Sequence, residues 1–276
     1  VSVERTDGPI TSVRNPRVRA VAALADADAR RSSGRHLAEG PRVVLEALAS
    51  ATVDDVLVAD DVEVPADLAR AIAAAGARRT PVGRRVLERV ATTVHPTGPV
   101  AVVVTPDVAA PLPAHGALLV LDGIADPGNV GTLVRAADAF GAAGVVVIDG
   151  ADPFSPKAVR ASAGSCYHLP LRVRRDRVAA VAELAAGREL HGLAADAGTS
   201  VTAARLPADV ALVVGHEARG IDAVTRGALT GLLRVPMPGR AESLNAATAG
   251  SIALFAVLVG AAGGRLGSPG PAEEAS

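Results

Sequence analysis

The stretch Leu121-Asp122-Gly123-Ile124-Ala125-Asp126-Pro127-Gly128-Asn129-Val130-Gly131-Thr132-Leu133-Val134-Arg135 ends the apolar run Ala117–Leu121 in a turn and opens a helix. Asn129 falls near the start of that helix and Arg135 almost two turns further on. An amide, the free N–H groups of a helix start and a guanidinium are thereby gathered at one strand end, where open α/β sheets hold their ligands. No G-x-G-x-x-G occurs anywhere in the chain, so a Rossmann dinucleotide site has little support.

Two further stretches repeat the pattern of an apolar run breaking into a polar loop. Ala211–Val214 leads into Gly215-His216-Glu217-Ala218-Arg219-Gly220-Ile221-Asp222. Leu232-Leu233-Arg234-Val235 leads into Pro236-Met237-Pro238-Gly239-Arg240-Ala241-Glu242-Ser243-Leu244-Asn245 and then a long segment of small residues. Apolar runs at Ala117–Leu121, Val145–Ile148, Tyr167–Leu171, Leu190–Ala194, Ala211–Val214 and Leu232–Val235 alternate with helical stretches. Their apolarity is continuous rather than alternating, which predicts strands covered on both faces and a mainly parallel sheet.

Upstream, the sequence predicts a smaller α/β unit. It has a helix near Gly40–Ser50, a strand Val53–Val58, a helix Ala66–Ala75, a helical Val82–Thr92 and a strand Val100–Val104. Pro106, Pro111 and Pro113 with the alanines between them mark a linker. The expected organisation is a first domain over 1–106, a linker over 107–115, a second domain over 116–266 and a disordered tail over 267–276.

The 276 residues are 49% hydrophobic, enough for a substantial core, but aromatic residues are limited to Tyr167 and three phenylalanines. Stacking platforms for RNA bases are therefore scarce, and arginine planes would have to replace them. A formal charge of −1 does not by itself announce a nucleic-acid binder. Its distribution is uneven, however. Arg14, Arg17, Arg19, Arg30, Arg31, Arg35 and Arg42 crowd one stretch, whereas Asp54, Asp55, Asp60, Asp61, Glu63 and Asp67 follow without a basic residue between Ala51 and Leu68. This predicts one face that attracts phosphates and another that repels them.

Cys166 is the lone cysteine, and no His/Cys cluster has zinc-ligand spacing, so no metal is expected. The start Val1-Ser2-Val3-Glu4-Arg5 lacks an apolar signal region, and the expected location is the cytoplasm. The uncharged stretch Ser243–Gly264 is long enough for a bilayer, but its Asn245, Thr248 and Ser251 and its many Ala and Gly residues favour a helix packed in protein.

In order and composition, the three stretches closely resemble the three motifs of the SpoU (TrmH-like) RNA 2'-O-ribose methyltransferases of the trefoil-knotted superfamily. The likeness implies an α/β fold with a trefoil-knotted, mainly parallel sheet as the methyltransferase domain. Ile10-Thr11-Ser12, Asn15-Pro16 and the segment Glu39-Gly40 to Glu46-Ala47-Leu48 are similar to that family's optional amino-terminal domain, an L30e-like α/β unit that presents RNA.

The resemblance also implies the chemistry: transfer of a methyl group from S-adenosylmethionine to a ribose 2'-hydroxyl of structured RNA, with 23S ribosomal RNA favoured. A transfer RNA substrate, or a non-catalytic RNA-binding scaffold, is the alternative. By the same likeness Arg135, Asn129, Glu217, Ser243 and Asn245 are the catalytic residues. Arg135 would otherwise be a structural ion pair near the core positions Val134 and Ala137, Asn129 or Ser243 a helix cap, and Glu217 loop architecture. Leu193, Gly215, Ile221, Val235, Met237 and Leu244 would line the methyl-donor crevice. Lys157 and Arg160, in the family-like stretch after Pro153, would join the amino-terminal arginines in holding RNA phosphates. Family members pair as homodimers through the carboxy-terminal domain, and Leu244–Val259 offers the small-residue helix for such a contact.

Overall fold

The computed structural model describes residues 8–93, 96, 98–241 and 243–260, so the tail expected over 267–276 lies outside the described residues. The chain forms two compact units. The first runs to Ala110 and is completed by Asp126–Arg135 and Ala151–Leu171, and the second comprises Pro111–Ala125, Ala136–Gly150 and the residues from Arg172 onward. Grouped by contacts, the division is therefore not collinear with the sequence.

The amino-terminal elements are α1 (Pro16–Ala23), α2 (Ala27–Ser33), β1 (Arg35–Glu39), α3 (Pro41–Ser50), β2 (Val53–Ala59), α4 (Ala66–Ala74), β3 (Arg78–Val82), α5 (Arg84–Val90) and β4 (Val100–Val104). The four strands form a sheet in the order β1-β4-β2-β3, antiparallel except for the β2–β3 pair. Val18, Val21 and Leu24 meet Val86, Leu87 and Val90 over Leu37, Leu57 and Val100, which builds one core. The expected helix Val82–Thr92 is shortened, because Val82 completes β3 and Gly83 starts the helix.

The remaining elements are β5 (Leu118–Asp122), α6 (Pro127–Ala139), β6 (Gly144–Ile148), α7 (Pro156–Ser162), β7 (Leu171–Arg174), α8 (Arg177–Ala185), β8 (Leu190–Leu193), β9 (Thr199–Ser200), β10 (Ala211–Gly215), α9 (Ala223–Gly227), β11 (Gly231–Arg234) and α10 (Ala246–Leu254). The second sheet has the order β7-β6-β5-β10-β8-β11-β9, and its strands from β6 to β9 pair in parallel. Every residue of β5 and β6 is buried, as the continuous apolar runs predict. The expected strand Tyr167–Leu171 is corrected: Ser165–Tyr167 is a single 3-10 turn entered through Gly164 at φ +100°, and pairing begins only after Pro170, which has no N–H to give a ladder.

Among the described residues no helix is long and apolar enough to cross a membrane.

Candidate active site

Helix α6 begins on a cap that the sequence reading did not assign. The Asp126 carboxylate accepts from the Asn129 N–H at 3.0 Å, and Pro127 fills the first helical position, where a missing N–H costs nothing. Lys157 Nζ lies 2.6 Å from the other Asp126 oxygen. That ammonium first, and then the N–H groups of Asn129 and Gly128, hold the Asp126 carboxyl below the usual carboxylate range. Asn129 therefore sits in the first turn of the helix while Asp126 does the capping.

Arg135 departs from one expectation. Val134 and Ala137 are buried, but Arg135, turned about 100° around the helix from Val134, is exposed and makes no ion pair or side-chain hydrogen bond among the described residues. A surface guanidinium without an ion pair among the described residues is available to a ligand, and the structural ion pair considered from the sequence is not found among them.

At the carboxyl end of β10 the chain folds back on itself. His216 and Gly220 exchange backbone hydrogen bonds of 3.0 and 2.9 Å, with Gly220 at φ +68°. A Cβ on Gly215 would stand 2.4 Å from the Gly220 carbonyl carbon and the Ile221 nitrogen, so only glycine permits this closure. His216 Nδ1 accepts from the Ala218 N–H at 3.0 Å, which ties the ring to loop architecture. The Glu217 carboxylate accepts from the Ala125 N–H at 3.3 Å.

Beside this loop lies an ion-pair network around one buried carboxylate that sequence reasoning missed. Asp122, at the end of β5, is 1% exposed, accepts from the Asp222 N–H at 2.9 Å and is paired with Arg177. Arg177 also reaches Asp149 at 3.1 Å and Asp222 at 3.6 Å. One guanidinium thus ties the ends of β5 and β6 to the start of α9, which fixes the loop after β10. Asp122 stands inside the quoted stretch, but its partners lie 55 and 100 residues away.

Leu193, Gly215, Ile221, Val235, Met237 and Leu244 all line one cavity of about 580 Å³ at this end of the sheet. Glu217, Ser243 and Asn245 face it too, as do Asp196 and Arg226. Asn129 and Arg135 are not among its lining residues. Asn245, not Ser243, caps α10, accepting from the N–H groups of Ala247 at 2.8 Å and Thr248 at 3.3 Å. The cavity volume falls within the range of about 300–1,000 Å³ usual for small-molecule sites. Its apolar walls with a few convergent polar groups fit a nucleoside that carries a charged tail.

The amino-terminal arginines are partly engaged with the acidic run that follows them. Arg17 Nη2 is 2.5 Å from Asp55 and 2.6 Å from Thr80, and Arg35 Nε is 2.5 Å from Asp54. The acidic stretch thus supplies two partners to the basic one, Asp54 and Asp55, while Asp60, Glu63 and Asp67 stay exposed. Arg31 pairs with Asp28. Arg30, 7% exposed, is 2.7 Å from Asp152 and donates to the carbonyls of Leu24 and Ala25, so it is an internal strut and not a phosphate contact. Arg160 pairs with Glu39 at 3.4 Å and with Thr92. Burial acts to raise the Glu39 carboxyl, but hydrogen bonds from Thr93 and Thr92 outweigh it and hold the group below its ordinary value. Arg14 and Arg19 are exposed and carry no ion pair among the described residues.

Residues 116–255 match the model of the SpoU rRNA Methylase family, and residues 15–101 match that of the MRM3-like substrate binding domain. The chain is 34% identical to the 23S rRNA (guanosine(2553)-2'-O)-methyltransferase RlmP of Bacillus subtilis, over 89% of this chain and 97% of that protein. It is 40% identical to the 23S rRNA (guanosine-2'-O-)-methyltransferase RlmB of Xylella fastidiosa over 50% of this chain and 56% of that one. The AdoMet-bound rRNA methyltransferase of Sinorhizobium meliloti superposes with a TM-score of 0.79 at 28% identity, covering 94% of this chain and 99% of that chain. The chain belongs to the SpoU rRNA methylase family.

Proposed function

We propose that this protein is an S-adenosylmethionine-dependent methyltransferase acting on a ribose 2'-hydroxyl of 23S ribosomal RNA. The observation that carries the reading is the 580 Å³ cavity, where residues of two sequence-distant motifs, Gly215 and Glu217 with Met237, Ser243 and Asn245, converge on the carboxyl end of a parallel sheet. Likeness over 89% of this chain to a 23S rRNA enzyme supports the substrate class.

Leu193, Ile221, Val235, Met237 and Leu244 supply the apolar walls for the donor, and the Gly215 loop supplies backbone groups. When bound, the donor carries an electrophilic methyl on a sulfonium, so the chemistry left to the protein is to present the ribose oxygen and relieve it of its proton. A guanidinium is always protonated and is a poor base. Arg135 therefore stabilises the alkoxide that develops at the 2'-oxygen as its proton passes to solvent. Asn129, Glu217, Ser243 and Asn245 orient the ribose and its proton, an assignment that rests on their motif positions. The amino-terminal unit presents RNA, with Arg14, Arg19 and the exposed part of Lys157 as phosphate contacts.

The working species is a cytoplasmic homodimer joined through the second unit. Ile252 and Phe255, 40% and 51% exposed, support this as apolar surface awaiting a cover.

The test is incubation with labelled donor and 23S rRNA from cells lacking the enzyme, followed by mapping of sites protected from alkaline cleavage. Label at a ribose of 23S rRNA is expected. Label on transfer RNA alone, on bases alone, or on no RNA at all overturns the reading in favour of another substrate or a scaffold.

A further inference from the structure

Among its described lining residues, the donor cavity carries two carboxylates, Asp196 and Glu217, and a single Arg or Lys side chain, that of Arg226. His216 Nδ1 accepts from N–H groups of the loop and lies 3.9 Å from the Glu217 carboxylate. S-adenosylmethionine bears two cationic groups, the sulfonium and the α-ammonium, and one anionic group, the α-carboxylate. Among the described lining residues Arg226 is thus the one Arg or Lys side chain that could meet the donor's single anionic group.

Arg226 has no ion pair or side-chain hydrogen bond among the described residues, so its donors are uncommitted. Its backbone is nevertheless held in place. Arg226 N–H donates to the Asp222 carbonyl at 2.7 Å, Asp222 caps α9 through the Val224 N–H at 2.9 Å, and the Asp222 N–H is bound by buried Asp122. The neighbouring Thr225 is fully buried, which anchors the turn from which the guanidinium extends. A free cation on a fixed turn, lining a cavity otherwise supplied with carboxylates, is suited to bind a carboxylate in the two-pronged manner of arginine.

We propose that Arg226 holds the α-carboxylate of the methyl donor and so makes the site select nucleosides that carry the amino-acid tail. The proposal rests on the cavity being the donor site. Calorimetry with two probes separates the two ideas: S-adenosylhomocysteine, which has the tail, and 5'-methylthioadenosine, which shares the adenine, ribose and thioether but lacks it. The parent protein should bind the first more tightly. Arg226→Ala should weaken S-adenosylhomocysteine by about tenfold or more, the usual worth of a charge-assisted pair, and leave 5'-methylthioadenosine within about twofold. Arg226→Lys should recover part of the loss because the charge remains. Unchanged S-adenosylhomocysteine affinity in Arg226→Ala, or an equal loss for both nucleosides in a variant that melts like the parent, overturns the assignment. If Arg226→Ala does not fold, Arg226→Gln is read by the same criteria. A parent protein that binds neither nucleoside overturns the donor-site reading itself. Weakened RNA binding with S-adenosylhomocysteine unaffected would instead give Arg226 to a phosphate and end the proposal.

Discussion

Arg135 combines a matched motif position with an exposed, unpaired guanidinium, and that combination makes a sharp expectation. Arg135→Ala should lower kcat on the order of a hundredfold, the usual loss when one stabilising donor is removed. Its stability should stay within about 0.5 kcal/mol, since no folded-state partner is lost. Single-turnover rates beside a thermal melt check both, and a variant that turns over normally would remove the assignment. His36 gives a second expectation, concerning pH. It is fully buried, with Nδ1 3.0 Å from Thr105 Oγ1 and Nε2 3.2 Å from the Tyr167 hydroxyl. Burial is the main cause that depresses its pKa from 6.5 to about 3. The unfolded chain binds a proton there that the folded chain refuses. Stability from His36 is thus complete above pH 6.5 and is lost progressively as pH falls toward 3. Between pH 6.5 and 5, above the range where carboxylates titrate, denaturant midpoints of the parent should fall more steeply than those of His36→Gln. Equal slopes would show that the imidazole is not held neutral.

Close approach between elements rests on particular small residues. A Cβ at Gly131 of α6 would lie 2.2 Å from the Ala158 carbonyl oxygen and 2.7 Å from the Ala161 Cβ of α7. Gly131→Ala should force the two helices apart and lower stability by about 1–3 kcal/mol, as overpacking does. Turnover should fall with it, because Asn129 and Arg135 ride on α6. Chemical denaturation and steady-state assay together test this; parental values for both would mean the contact is looser than drawn. At this scale the long apolar strands β5, β6, β8, β10 and β11 were legible within a residue or so, whereas β1 and β3 were not. Arg78-Arg79-Thr80-Pro81-Val82 lacks a strand pattern because β3 is an edge strand, where charged residues and proline are tolerated. Asp126 capping α6 was readable from an Asp-Pro pair at the helix start, but Lys157 as its partner was not.

For the whole molecule, the exposed Ile252 and Phe255 lead to an expectation about assembly. Light scattering at micromolar concentration should give twice the chain mass for the parent. Ile252→Glu with Phe255→Glu should give single chains that still fold but melt at a lower temperature, because the dimer linkage and the edge contact of Phe255 with the Phe140 ring are both lost. A parent protein that is monomeric and active would remove the dimer from the proposal. The two compact units also exchange segments along the chain, and so the amino-terminal unit contains Asp126–Arg135 and Ala151–Leu171. Proline punctuation could mark a linker near residue 110, but it carried no sign of that exchange.

Local features were determined by the sequence itself. Strand runs, the parallel sheet and the three polar loops follow from hydrophobic periodicity, which depends on neighbours a few positions apart, and the residues lining the cavity follow from the resemblance of the motifs to the SpoU family. Tertiary structure alone decided how charge is used. Composition showed seven arginines between residues 12 and 42 and an acidic run after them. Only folding brings Asp55 to Arg17, Asp54 to Arg35 and, from 122 residues away, Asp152 to Arg30. A buried charge must find a partner wherever the fold provides one, and that partner is set by chain topology, which residue spacing does not encode.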